Sequence, residues 1–184
     1  YTTHPNEEPI KVIKKMKQTD NFKFDEANVM NELVYRNLSE DAKRQICAWK
    51  YGGEYDLYNL PSYEEMQVRQ IGFMNLKSEK NYYGFWDESI LVGFVNILEE
   101  KEEVFIGIGV NPDLCNKHYG QRMLLITYEI SKKLYPNKPL YLEVRTWNIR
   151  AVKCYQKAGF RIDGQAYELT TGIGTGTFYR MIRE

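Results

Sequence analysis

Apolar and polar residues first fall into a regular order at Leu33. Residues 33–36 read as a short strand, and Ser39 stands where a cap would open a helix over residues 40–50 with Ala42, Ile46 and Trp49 on one face. Gly52 and Gly53 stop that helix, the aromatic loop YGGEYDLYNLP follows, and Pro61 and Ser62 open a second helix with Glu64 and Glu65 in its first turn. Three strand-like runs come next, 81–86, 90–98 and 104–110, separated by turn-forming residues 87–89 and 99–102, which predicts an antiparallel meander. Apolar positions from Met123 to Leu134 recur at helical spacing, so a helix is expected over 120–134, ended by Pro136. Then follow a strand at 140–144, a helix at 148–158 closed by Gly159, a strand opening at 160–162 and an alternating last strand at 177–182. Residues 1–30 show no sustained period and read as an extension or arm. The expectation is one mixed α/β domain over residues 31–184.

Composition narrows the function classes. The chain has 184 residues, 43% of them hydrophobic, enough for a single core. Lys plus Arg and Asp plus Glu both number 25, so no global basic field exists to attract nucleic acid or an anionic membrane. No apolar run approaches the roughly 18–20 residues of a membrane span. Three cysteines without a C-x-x-C pair, and two histidines, offer no metal set, so a reduced cytoplasmic protein without a metal is expected. Fifteen tyrosines suit a lined cleft and a tyrosine-rich core alike.

The join VNPDLCNKHYG, from Val110 to Gly120, carries the first chemistry. A strand ends at a proline, a compact polar loop follows, and a helix begins whose unpaired amides and positive dipole end suit a phosphate or pyrophosphate. Lys117 and Arg122 add charge. One helix and one strand downstream, the run YLEVRTWNIRAVKCYQKAGFR places Asn148 at a helix start, Tyr155 two turns along, and Gly159-Phe160 at its close.

This second run resembles the closing motif of the GNAT acetyltransferase superfamily, N-x-R-A-x-x-x-Y-x-K-x-G-F, in Asn148, Arg150, Ala151, Tyr155, Lys157, Gly159 and Phe160. The join upstream lies where that family carries its acetyl-CoA loop, V-x-P followed by Q/R-x-x-G-x-G/A. It departs from the pattern at Cys115, where Gln or Arg is usual, and at His118, where the middle Gly is usual. A residue there needs positive φ or must turn its ring outward, and His tolerates that conformation better than most; its imidazole can also donate to a phosphate.

The resemblance implies an α/β (α+β) fold: a mixed, mostly antiparallel sheet of about six to seven strands, about four helices, and a V-shaped cleft between residues 104–110 and 140–144. It implies acetyl-CoA as co-substrate, held by Ile108, Gly109 and Val110, by Asn116, Lys117, His118, Tyr119, Gly120, Gln121 and Arg122, and by Asn148 and Tyr155. The reaction implied is acetyl transfer to a primary amine of a small molecule, amino-acid-like compound or peptide, by direct attack in a ternary complex. Tyr155 would be the general acid for the departing thiolate, Glu103 the base in preference to Glu102 or Glu143, and the Val110 amide the oxyanion donor. Trp49, Tyr51, Tyr55 and Tyr58, with Glu54 and Asp56, would wall the acceptor site. An acyl-CoA-binding module without efficient catalysis is the alternative that Cys115 and His118 support. The glycine-rich TGIGTGT reads as a flexible hairpin, and an exposed edge at 177–182 offers pairing with a second copy as a homodimer.

Overall fold

The computed structural model describes residues 32–184; the arm expected at residues 1–30 lies outside them. Strand β1 (Val34–Asn37) leads into helix α1 (Glu40–Ala48), whose start is fixed by the Ser39 hydroxyl accepting from the Ala42 amide at 3.2 Å. The helix ends two residues short of the expected boundary because Trp49 adopts an extended backbone ahead of the Gly52-Gly53 break. A 3₁₀ stretch, Gly53–Tyr58, occupies the aromatic loop, and Ser62 caps helix α2 (Tyr63–Arg69) by accepting from the Glu65 amide.

The meander appears as expected: β2 (Tyr82–Asp87), β3 (Ile90–Glu99) and β4 (Val104–Val110), each antiparallel to the one before. Helix α3 (Tyr119–Leu134), β5 (Leu140–Arg145), α4 (Ile149–Lys157) and β6 (Arg161–Ile162) follow. The chain closes with β7 (Tyr167–Thr171) and β8 (Gly174–Arg183). Among the described residues the sheet has 8 strands in the order β1-β2-β3-β4-β5-β8-β6, with β7 also paired to β8.

Two expectations change here. The last strand begins at Gly174 rather than 177 and forms a hairpin with β7, a strand the sequence pattern did not announce. In addition, β8 is not an edge: β5 pairs with one side of it and β6 and β7 with the other, so its backbone groups are not free for a second copy.

Helices cover both faces. Phe85 and Trp86 are neighbours on β2 and so point to opposite faces, and they belong to different apolar clusters. The cluster of Phe85 includes Met123, Leu124 and Ile130 of α3 and Val152 of α4; that of Trp86 includes Ala42 and Ile46 of α1 and Met66 of α2.

Candidate functional site

The cleft originates in a pairing that stops early. Strand β3 stays paired with β4 as far as Val110, but β4 and β5 run parallel in contact only at Val104↔Leu140 and Phe105↔Tyr141. Beyond Phe105 the two strands part. The Val104 amide donates to Pro139 O on the β5 side and the Asn111 amide to Val92 O on the β3 side, both at 2.9 Å. Alternation along the strand therefore turns the amides of Ile106, Ile108 and Val110 toward the gap. Gly109 is required by packing: a Cβ there would stand 2.4 Å from Phe94 Cε1. Gly107 carries no such demand, its nearest neighbour being at 3.5 Å.

A cavity of about 620 Å³ fills the gap, a size suited to a cofactor or small ligand. One end is the start of α3. His118 is its N-cap in the left-handed conformation (φ 65, ψ 6), and its side chain makes no capping bond. Asn116 is also left-handed at φ 63. The positive φ expected at the missing glycine is thus adopted by the histidine itself, with its ring exposed. The amides of Tyr119, Gly120 and Gln121 lie in the first turn, where no helical acceptor exists. Gly120 sits close beneath α4, since a Cβ would meet Cys154 Sγ at 3.0 Å and Val110 Cγ2 at 3.5 Å. Asn116, His118, Tyr119, Gly120 and Gln121 line the cavity, whereas Lys117 and Arg122 do not. Tyr119 is turned by its hydroxyl, which donates to Asp87 at 2.6 Å, and the Arg122 guanidinium lies 5.4 Å from its ring.

The opposite end is the start of α4. The Asn148 side-chain oxygen Oδ1 accepts from the Ala151 amide at 3.1 Å, and its side-chain nitrogen Nδ2 donates to the Tyr58 hydroxyl at 3.3 Å. Two turns in, Tyr155 lines the cavity, and its hydroxyl has no hydrogen-bond partner among the described residues. Burial pushes its phenol well above the ordinary tyrosine value, so it stays a proton donor. Cys115 and Cys154 also line the cavity; burial raises both thiols, which keeps them neutral.

The aromatic segment after α1 forms the remaining wall. The Tyr51 hydroxyl donates to Val110 O at 2.6 Å, tying this segment to the end of β4. Tyr55 and Tyr58 pack on Trp147, and the Arg150 guanidinium stands 4.0 Å from the Tyr55 ring centre. Trp49, Tyr51 and Tyr58 reach the cavity; Tyr55, Glu54 and Asp56 do not.

The carboxylates sort differently from the sequence expectation. Glu103 lies outside the cavity lining, held by both terminal nitrogens of Arg180, which also bonds Asp163 at 3.3 Å. Glu102 is exposed beside Lys101. Glu143 does line the cavity and accepts from the Tyr167 hydroxyl, whose own ionisation is pushed up first by burial and then by that bond. Among the cavity residues without a signal in the sequence are Arg145 and Phe178. They face each other across the β5–β8 pairing, and nothing local marks either as a lining residue. Among the described residues no cluster of metal-binding side chains occurs, and no helix is long and apolar enough to cross a membrane.

The cavity residues fit a pantetheine–pyrophosphate ligand on two structural grounds: a helix start without a side-chain cap, and a glycine whose missing Cβ keeps that start close to α4. Comparison with known proteins agrees. The family model described as Acetyltransferase (GNAT) family matches residues 43–160. No curated protein matches the sequence. Among solved structures, a GNAT-family acetyltransferase from Bacillus anthracis superposes with a TM-score of 0.64 at 16% identity, covering 82% of this chain and 93% of that one. A GNAT-family acetyltransferase from Streptococcus pneumoniae gives 0.60 at 24% identity, with 83% and 98% covered. The spermidine N-acetyltransferase from Vibrio cholerae in complex with CoA and spermine gives 0.66 at 18% identity, with 82% and 94% covered.

Proposed function

The chain belongs to the acetyltransferase (GNAT) family, and from that premise we propose that it moves the acetyl group of acetyl-CoA to a primary amine by direct attack in a ternary complex. The observation that carries the proposal is Tyr155: an unpartnered phenol, kept protonated by burial, on the wall of the cavity into which the uncapped α3 start opens. In this reading the α3 amides hold the pyrophosphate and the Ile108 and Val110 amides face the pantetheine arm and the thioester carbonyl. Tyr155 gives its proton to the departing thiolate. The base in this reading is Glu143 rather than Glu103. Glu103 is committed to Arg180, whereas Glu143 reaches the cavity and can take the amine proton directly or through water.

An amine acceptor is compatible with the aromatic wall of Trp49, Tyr51 and Tyr58, and with the spermine in the Vibrio cholerae complex. The binding-module alternative rested on Cys115 and His118. His118 adopts the backbone a glycine would take, which favours an intact phosphate loop and so the enzyme. The three free thiols keep the cytoplasm as the proposed setting, and a homodimer through β8 is no longer part of the proposal. The test is thiol release from acetyl-CoA over a panel of amines, alongside thermal stabilisation by acetyl-CoA, CoA and longer acyl-CoAs. Stabilisation by acetyl-CoA with thiol release for at least one amine is expected. Stabilisation without release for any amine would instead favour the module.

A further inference from the structure

Two arginines approach the same face of the C-terminal half of the sheet, and their surroundings differ sharply. Arg180 is neutralised by Glu103 and Asp163. Arg145, at the end of β5, is only 8% exposed and has no ion pair among the described residues. Its polar and ring partners among the described residues are Gly174 O, 3.5 Å from Nη2, and the Phe178 ring, 4.9 Å from the guanidinium carbon. Nε is buried without any acceptor among the described residues. Nε and Nη2 form the edge that grips a carboxylate with two parallel bonds, and here that edge holds one bond at the limit of hydrogen-bond length.

A desolvated cation without a counter-charge is costly, and side chains in that position are usually paired or serve a ligand. The fold nevertheless reserves the place. A Cβ on Gly176 would stand 2.0 Å from Arg145 Nη1 and 2.9 Å from its guanidinium carbon, so the β7–β8 hairpin must carry glycine there for the side chain to lie as it does. Both Arg145 and Phe178 line the cavity that holds Glu143 and Tyr155. Glu143 stands two residues before Arg145 on the same face of β5, a separation of roughly 6.5–7 Å along the strand.

We infer that Arg145 binds an anionic group of the acceptor, and that the acceptor is a small amine carrying a carboxylate a few bonds away, as an amino acid does. The inference rests on the acetyltransferase reading above and names its substrate class. The carboxylate takes the guanidinium edge in exchange for the weak Gly174 contact, while the amine lies toward Glu143 and the thioester.

The experiment measures thiol release from acetyl-CoA with the common amino acids, their carboxamides, their decarboxylated amines and polyamines. Wild type is expected to favour carboxylated acceptors by about tenfold or more in kcat/KM. Arg145→Gln should erase that preference through KM, lowering kcat/KM for the carboxylated acceptor by about tenfold more than for its decarboxylated amine, and leave stabilisation by CoA unchanged. Equal or better use of polyamines or carboxamides by wild type overturns the inference, as does a loss in Arg145→Gln shared equally by acids and amines. No thiol release with any acceptor, while acetyl-CoA still stabilises the protein, overturns the acetyl-transfer reading and this inference with it. The wild-type comparison stands without any variant, and Arg145→Lys, which keeps the charge but loses the fork, should retain part of the preference if Arg145→Gln fails to fold.

Discussion

The two helices that meet at the cavity begin in opposite ways. At α4 the start is closed: Asn148 is 7% exposed, its side-chain oxygen satisfies the Ala151 amide, its side-chain nitrogen reaches Tyr58, and its backbone amide donates to Arg145 O at 2.9 Å. At α3 the start is open, with His118 exposed, left-handed and without a side-chain cap. A closed start fixes the direction of its helix and so aims a side chain such as Tyr155. An open start leaves the backbone itself as the ligand-binding surface. One wall therefore works through side chains and the other through amides, and each can be disturbed separately.

The largest expected effect falls on the side-chain wall. Tyr155→Phe should lower turnover by about 10²–10⁴ while thermal stabilisation by acetyl-CoA is kept, and an unchanged rate would remove the phenol from the chemistry. Because burial raises that phenol, wild-type turnover should not fall from loss of this proton as pH rises to the ordinary tyrosine value of about 10; a pH profile of kcat reads this directly. On the amide wall, Gly120→Val presses a Cβ and two methyls against Cys154 and Val110. It should cost about 1–3 kcal/mol by denaturant unfolding and weaken acetyl-CoA binding as α3 is pushed outward. Asn148→Ala opens the closed start and should cost about 1 kcal/mol in stability, with acetyl-CoA affinity little changed. The smallest effect is His118→Gly, which relieves a left-handed residue and should stabilise by up to about 1 kcal/mol, with acetyl-CoA affinity within about twofold in a titration. A large loss of affinity in that variant would mean that the imidazole touches the ligand, and the open start would no longer be a purely backbone site.

Local patterns recovered most of the frame because each element is closed by its own residues. Ser39, Ser62 and Asn148 cap their helices from one position away, and Gly159 takes the positive φ that ends α4. Strand β7 escaped because its five residues are half polar and lie beside the glycine-rich turn, so its pairing with β8 has no apolar signature. In the site, lining residues on nearly contiguous stretches were legible: Ile108 to Val110, Asn116, His118 to Gln121, and Asn148 with Tyr155. Partnerships across the sheet were not. Glu103 and Arg180 lie 77 positions apart, and the pairing of β4 and β8 with opposite sides of β5 brings them within reach. Arg145 and Phe178, which meet only through the β5–β8 pairing, were concealed in the same way. Lys117 and Arg122 failed to reach the cavity for a simpler reason, since a charge near a helix start says nothing about the direction its side chain takes.

The two-residue seam between β4 and β5 leaves the sheet stitched at one end only. Past that seam, the amides of Ile108 and Val110 have water as their alternative to a ligand. A polar linear arm laid in the opening would supply the missing rungs, making the bound ligand a ninth strand in all but covalent connection. Deuterium uptake at these amides should then slow on addition of CoA, in a part of the protein where the protection comes from the occupant rather than from the fold.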